Sequence, residues 1–193
     1  MVRDMVQDDP STLVCILIDE VESLASSRNN SSGGDPSDAM RAVNSLLTSL
    51  DRLRSFPNVL VLATTNLTAS VDDAFVDRVD LKLHIGMPIL KARYQILHSC
   101  LQELLRVGII TCDGCKIEPY HSSIKTEANE LTGLLLACAE QAEGLSGRSL
   151  RRLPLQAHAR YLQALVSVST KSFLEALSLA IQMEQISRHR MAL

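Results

Sequence analysis

The chain has 193 residues and 46% hydrophobic content, enough for one ordinary core and a small appendage. Its formal net charge is -3, and no Lys/Arg run is long enough to make a polybasic patch, so direct nucleic-acid binding through a phosphate backbone has little to drive it. No apolar stretch approaches the ~20 residues of a membrane span, and the opening MVRDMVQDDP is charged where a secretory leader is apolar; an intracellular protein with no membrane partner is expected.

Aromatic content is only 3%, with no Trp, and aliphatic side chains supply the apolar surface, which favours helices packed on an aliphatic sheet: an α/β fold. The five cysteines are odd in number and lack framework spacing, which fits free thiols in a reducing compartment. Cys112 and Cys115 form one CxxC near His121, but a structural zinc site needs a second ligand pair and none follows, so an ordinary loop is expected there.

Leu13 to Ile18 is a continuous aliphatic run ending in Asp19 and Glu20, the pattern of a strand buried on both faces with charges past its carboxyl end. Val59 to Ala63 is a second such run, followed by Thr64, Thr65 and Asn66. Two parallel strands need a crossover, usually helical. Between them lie a polar loop, Arg28 to Gly34, then Asp35 and Pro36 as N-cap and first helical residue, then Met40, Val43, Leu47 and Leu50 at the spacing of an apolar helix face. The unit reads strand, loop, helix, parallel strand.

From Pro88 onward the pattern is helical, with Leu90, Tyr94, Leu97, Leu101 and Leu104 on one stripe. Helices are predicted over roughly 88–106, 124–142, 147–166 and 170–188, separated by the Thr111 to His121 loop, Gly144 and a Ser/Thr break near Ser169. The division is an α/β portion over residues 1–86 and an all-helical lid over 87–193.

Asp19 and Glu20 end a strand where open α/β sheets place ligand chemistry. In a nucleotide hydrolase the first carboxylate would orient a magnesium shell and the second would polarise the attacking water; strand-end charge for solubility is the plain alternative. Asn66 ends the second strand, where its amide can donate to a phosphate oxygen and accept from water, or simply serve a turn.

Val71 to Asp80, carrying Asp77, Arg78 and Asp80, is similar to the AAA+ segment in which an acid begins a short helix and an arginine near its end reaches a neighbouring subunit. The usual pattern has two arginines around a Pro-Gly; this shorter version has only Arg78, and an intramolecular Arg-Asp pair is the other reading. Gly144-Leu-Ser-Gly147-Arg148-Ser-Leu-Arg151-Arg152 resembles the sensor 2 motif, in which a turn starts a lid helix whose positive end and early arginine face ATP. A solvated basic helix face would look the same.

In order and spacing, residues 17–23, the block from Asp35, residues 74–78 and residues 144–154 together resemble the pachytene checkpoint protein 2 family of AAA+ ATPases, over nearly the whole chain and least in 106–130. That resemblance implies a partial AAA+ core with parallel strands and crossover helix, then a helical lid. It implies hexamers that use ATP and Mg2+ to remodel HORMA-domain proteins with an adaptor, in meiotic chromosome and spindle checkpoint control, in the nucleus and on chromosomes. Asp19 would hold magnesium through water, Glu20 activate water, Asn66 sense the γ-phosphate, Gly147 and Arg148 meet the nucleotide from the lid, and Arg78 act in trans.

No Gly-x-x-x-x-Gly-Lys-[Ser/Thr] occurs; the one Gly pair, Gly33 and Gly34, follows the acidic strand. The chain is therefore expected to be the C-terminal portion of such an ATPase, inactive by itself. A truncated, non-catalytic module that enters or inhibits hexamers, and a member of another AAA+ clade, are the competing readings.

Overall fold

The computed structural model describes residues 11–22, 36–66, 73–112, 114, 116–121, 124, 129–163 and 167–191, the side chains of 36–40, 42 and 191 excepted. It divides into two compact units, Met1–Leu83 and His84–Leu193.

In the first unit, β1 (Val14–Ile18) and β2 (Val59–Ala63) pair in parallel, with Val14 opposite Val59 and Ile18 opposite Ala63. Helix α1 (Pro36–Leu53) is the crossover, opening on the proline whose fixed φ suits a first helical position. Val43, Leu47 and Leu50 from its apolar stripe are buried with Val21 and Phe75, and Ile18 and Val61 pack against them; the side chain of Met40 lies outside the described residues. Phe75 comes from the short helix α2 (Asp73–Val76).

The expectation that both strands are buried on both faces is not met. Side chains alternate across a strand, and only one face of this pair meets α1; Leu13 is 67% exposed, Leu17 66%, and Leu60 and Leu62 also stand in solvent. Past α2, Leu81, Leu83 and Ile85 are exposed as well.

The second unit is built from α3 (Leu90–Arg106), α4 (Glu130–Gln141), α5 (Gly147–Ala157) and α6 (Thr170–Met191). The stripe read from the sequence is its core: Tyr94, Leu97 and Leu101 of α3 are fully buried with Leu135 of α4, Leu150 and Leu153 of α5, and Phe173 and Leu177 of α6, while Leu90 and Leu104 pack at the edge. Arg93 is only 8% exposed; its Nε donates to the Ala139 carbonyl at 2.7 Å and its Nη1 to the Pro88 carbonyl at 2.9 Å. Ala139 lies in the last turn of α4, so a buried cation meets the negative end of a helix.

Two details depart from the all-helical expectation. Ile110–Thr111 (β3) and Val168–Ser169 (β4) pair in parallel at the base of α6. The helix expected over 147–166 stops being α at Ala157 and finishes as a π-helical turn, His158–Leu162, closed by Gln163 at φ 45°. Pro154 inside α5 has no N–H to give the preceding turn, and such interruptions are a known origin of altered helical pitch.

Candidate functional site

The parallel register carries Asp19, Glu20 and Asn66 to the same, carboxyl end of the two-stranded sheet. Pairing continues one step past the strands: the Thr64 N–H donates to the Ile18 carbonyl and the Val21 N–H to the Thr64 carbonyl, both at 2.9 Å. Thr64 is the local organiser. Its hydroxyl donates to Asp19 Oδ1 and accepts from the Glu20 N–H at 3.2 Å, fixing the carboxylate of one acid and the backbone of the next. Glu20 itself is left-handed, φ 53°, a conformation that costs a residue with a Cβ and persists where surroundings enforce it. Both acids are exposed.

Glu22 ties the other side. Its Oε1 accepts the Asn66 N–H at 3.1 Å, and the Thr65 hydroxyl above all, with the amides of Glu22 and Asn66, holds its carboxyl below the ordinary range. Its Oε2 is buried and has no hydrogen-bond partner among the described residues. Thr64 and Glu22 were not singled out in the sequence; the signal available was a hydroxyl and an acid flanking each strand end.

Arg78 is held elsewhere. Asp73 begins α2, and Arg78, two residues past its end, forms a bidentate pair with Asp51: Nε to Oδ1 at 2.8 Å and Nη2 to Oδ2 at 3.0 Å, with Nη1 donating to the Ala74 carbonyl. The side-chain hydrogen bonds between them hold the Asp51 carboxyl below its usual range and raise the Arg78 guanidinium. The flanking Asp80 pairs instead with Arg54 at 2.6 Å. Asp51 lies in the last turn of α1, so Arg78 is held by the crossover helix and not by the residues at the strand ends.

In the second unit, Gly144 at φ 76° makes the turn out of α4, a conformation that glycine adopts without a Cβ penalty. Ser146 caps α5, its Oγ accepting the Ser149 N–H at 3.2 Å. Gly147 and Arg148 are the first two residues of that helix, with Arg148 exposed beside the positive helix end. Arg151 and Arg152 follow on exposed positions one turn on.

Among the described residues no group of three or more His, Cys, Asp or Glu side chains is placed to hold a metal ion. A single carboxylate at a strand end fits a hard cation that keeps most of its water, as magnesium does, and Asp19 has that chemistry. Cys112 is exposed, and Cys115 lies outside the described residues, as do the Arg28 to Gly34 loop, Asp35 and the start of the Val71 segment. No helix among the described residues is long and apolar enough to cross a membrane.

A parallel β-α-β unit with acids and an asparagine at its carboxyl end, followed by a helical unit, is the arrangement of an AAA+ ATPase core and lid. Two family models match accordingly: ATPase family associated with various cellular activities (AAA) over residues 1–87, and TRIP13-like, AAA+ ATPase lid C-terminal domain over residues 89–185. The chain is 49% identical over 173 residues to a pachytene checkpoint protein 2 homolog of Oryza sativa subsp. indica, covering 82% of this chain and 36% of that protein. It is 42% identical over 199 residues to the Homo sapiens homolog, covering 99% and 45%. The solved structure of C. elegans PCH-2 superposes with a TM-score of 0.76 at 35% identity, over 96% of this chain and 46% of that one. The FIGL-1 AAA domain in complex with ADP, at 23% identity and a TM-score of 0.59 over 93% of this chain and 56% of that one, shares the fold. The chain belongs to the pachytene checkpoint protein 2, or TRIP13-like, family of AAA+ ATPases. It spans less than half the length of these curated relatives.

Proposed function

We propose that this chain is the hydrolysis-controlling part of an ATP-dependent remodeller of HORMA-domain proteins, acting with an adaptor in meiotic chromosome and spindle checkpoint control in the nucleus. The observation that carries the reading is the Thr64 hydroxyl joining Asp19 to Glu20, with Glu22 joining the same strand end to Asn66. Such cross-strand hydrogen bonds preorganise side chains that must act together on one phosphate.

ATP with Mg2+, when bound, would supply a γ-phosphoryl group whose charge the metal partly neutralises. Asp19 would hold that ion through water, and Glu20 would take a proton from the attacking water. Asn66 donates its amide to the γ-phosphate; Gly147, through its backbone, and Arg148, through its guanidinium, meet the nucleotide from the lid. Arg78 serves the neighbouring subunit of a hexamer, for which it must leave Asp51. An arginine supplied in trans is worth about 10³ to 10⁵ in rate in related nucleotide hydrolases, so assembly becomes a condition of turnover.

The test joins this chain in frame to the remainder of the rice homolog, the part outside the matched region. Glu20→Gln is expected to bind ATP and assemble but not turn over; turnover at the parental rate would overturn the assignment. Arg78→Ala is expected to be inactive alone and partly active when mixed with Glu20→Gln subunits, since each contributes what the other lacks. Absence of rescue at every mixing ratio would remove the shared site. The unjoined chain is expected to show weak or no ATP binding by calorimetry, and tight magnesium-dependent heat would contradict the reading.

A further inference from the structure

Arg148 is the second residue of α5, just past the short connection, Ala142 to Ser146, that joins it to α4, and that connection is strapped from the far end of α6. A helix leaves its last carbonyls without intrahelical donors. Here α6 supplies one and goes on to the connection: Gln185 Nε2 donates to the Gln141 carbonyl at the end of α4 and, at 3.4 Å, to the Glu143 carbonyl past it, while Arg188 Nη1 donates to the Gly144 carbonyl at 3.4 Å. Ser178 adds a bond to Gln141 Oε1 at 2.8 Å.

Arg188 reaches both sides of Arg148. Besides Gly144 before it, Nη2 donates to the Ser149 Oγ just after it, the same oxygen that accepts from the capping Ser146 hydroxyl at 3.2 Å. Its Nε is held by Glu184, one turn earlier on α6, at 3.1 Å, so the guanidinium is pre-aimed. The Ser146 cap is local and would survive without α6; what the strap adds is the placement of the first turn of α5 relative to α6.

We infer that Arg188 is a positioning residue for Arg148, fixing the turn from which it projects so that the C-terminal helix helps set nucleotide affinity. The inference rests on the proposed nucleotide role of Arg148. Its first test involves no nucleotide: hydrogen exchange on this chain carrying Arg188→Met. Amides from Leu145 to Arg151 are expected to exchange about tenfold faster, with those of α3 unchanged. Unchanged exchange at the α5 start would overturn the strap, and so would a uniform rise across the whole second unit. Ser149→Ala, which leaves α6 intact but also removes the bond from the Ser146 hydroxyl, is expected to show a smaller local rise and to be less than additive with Arg188→Met, because the two share one contact.

In the protein joined to the remainder of the rice homolog, Arg148→Ala is expected to weaken ATP binding, and Arg188→Met to copy it partly, by about three- to tenfold, with ADP affinity and hexamer formation unchanged. If Arg148→Ala weakens ATP binding and Arg188→Met does not, the positioning role falls while the reading of Arg148 stands. If Arg148→Ala has no effect, that reading falls and takes the role of Arg188 with it, even where faster exchange shows the strap itself.

Discussion

The two units solve the problem of burial differently. In the first, a two-stranded sheet and one long helix enclose a small cluster around Val43, Leu47 and Phe75, and the other strand face, with Leu13 and Leu17, stays open. In the second, four helices close on one continuous core from Tyr94 to Ile181. The residues proposed to cut ATP sit on the unit with the thinner core, at exposed strand ends held by hydrogen bonds to Thr64 and Glu22 more than by packing. Arg148 instead rides on a helix whose Leu150 and Leu153 are fully buried. Precision at a site can come from a hydrogen-bonded backbone or from a packed helix, and this chain uses each once.

The contrast is testable by truncating one large side chain in each unit. Leu150→Ala is expected to cost about 2 to 5 kcal/mol in urea unfolding of the second unit, whereas Leu17→Ala, on the open strand face, should stay within about 0.5 kcal/mol. Equal costs would mean that the first unit is as well packed as the second. Residues 84–193 expressed alone should keep a cooperative thermal transition, and residues 1–83 alone should bind a hydrophobic dye and lack one.

Alkaline pH should separate the units next. Burial pushes the Cys138 thiol up to about 12, and burial first, with Glu118 nearby, pushes the Tyr94 phenol up to about 12. Both groups favour the folded state while protonated. Their contribution is complete below the unfolded values of 9.0 and 10.0 and is lost as pH rises toward 12. Circular dichroism across that window should show the helical unit melting at progressively lower temperature; a flat profile would place these groups in contact with water.

Asn129→Ala, which removes the side-chain cap on the Thr132 N–H of α4, is expected to cost about 0.5 to 2 kcal/mol. The smallest effect belongs to the first unit. Asp51 is held below its ordinary 3.8, so its pairing with Arg78 contributes above that pH and is lost as pH falls through the lower folded value. Asp51→Asn should flatten the acid limb of the stability profile. A loss of stability at neutral pH as large as that of Leu150→Ala would instead make this exposed pair a principal support of the fold.

Much of the fold was readable without coordinates. Aliphatic runs ending in acids and an asparagine located both strands, the spacing of Val43, Leu47 and Leu50 located the crossover helix, and the stripe through Tyr94, Leu97 and Leu101 is the core face of α3. These signals are local: strand continuity and the 3.6-residue helical repeat express themselves within a few turns of chain. That Asp19, Glu20 and Asn66 lie one to three residues past Ile18 and Ala63 was readable for the same reason.

What the tertiary structure decided lies between distant segments. Thr64 reaches Asp19 across 45 positions, Glu22 meets Asn66 across 44, Arg78 takes Asp51 in preference to its neighbouring aspartates, and Arg188 reaches Ser149 across 39. Exposure of the second strand face and the short β3–β4 pairing belong to the same class. A hydrogen bond depends on where two backbones place a donor and an acceptor, and no periodicity within one segment encodes the position of another. The sequence by itself determined which elements form and which residues end them; only packing decided which side chains those ends would hold.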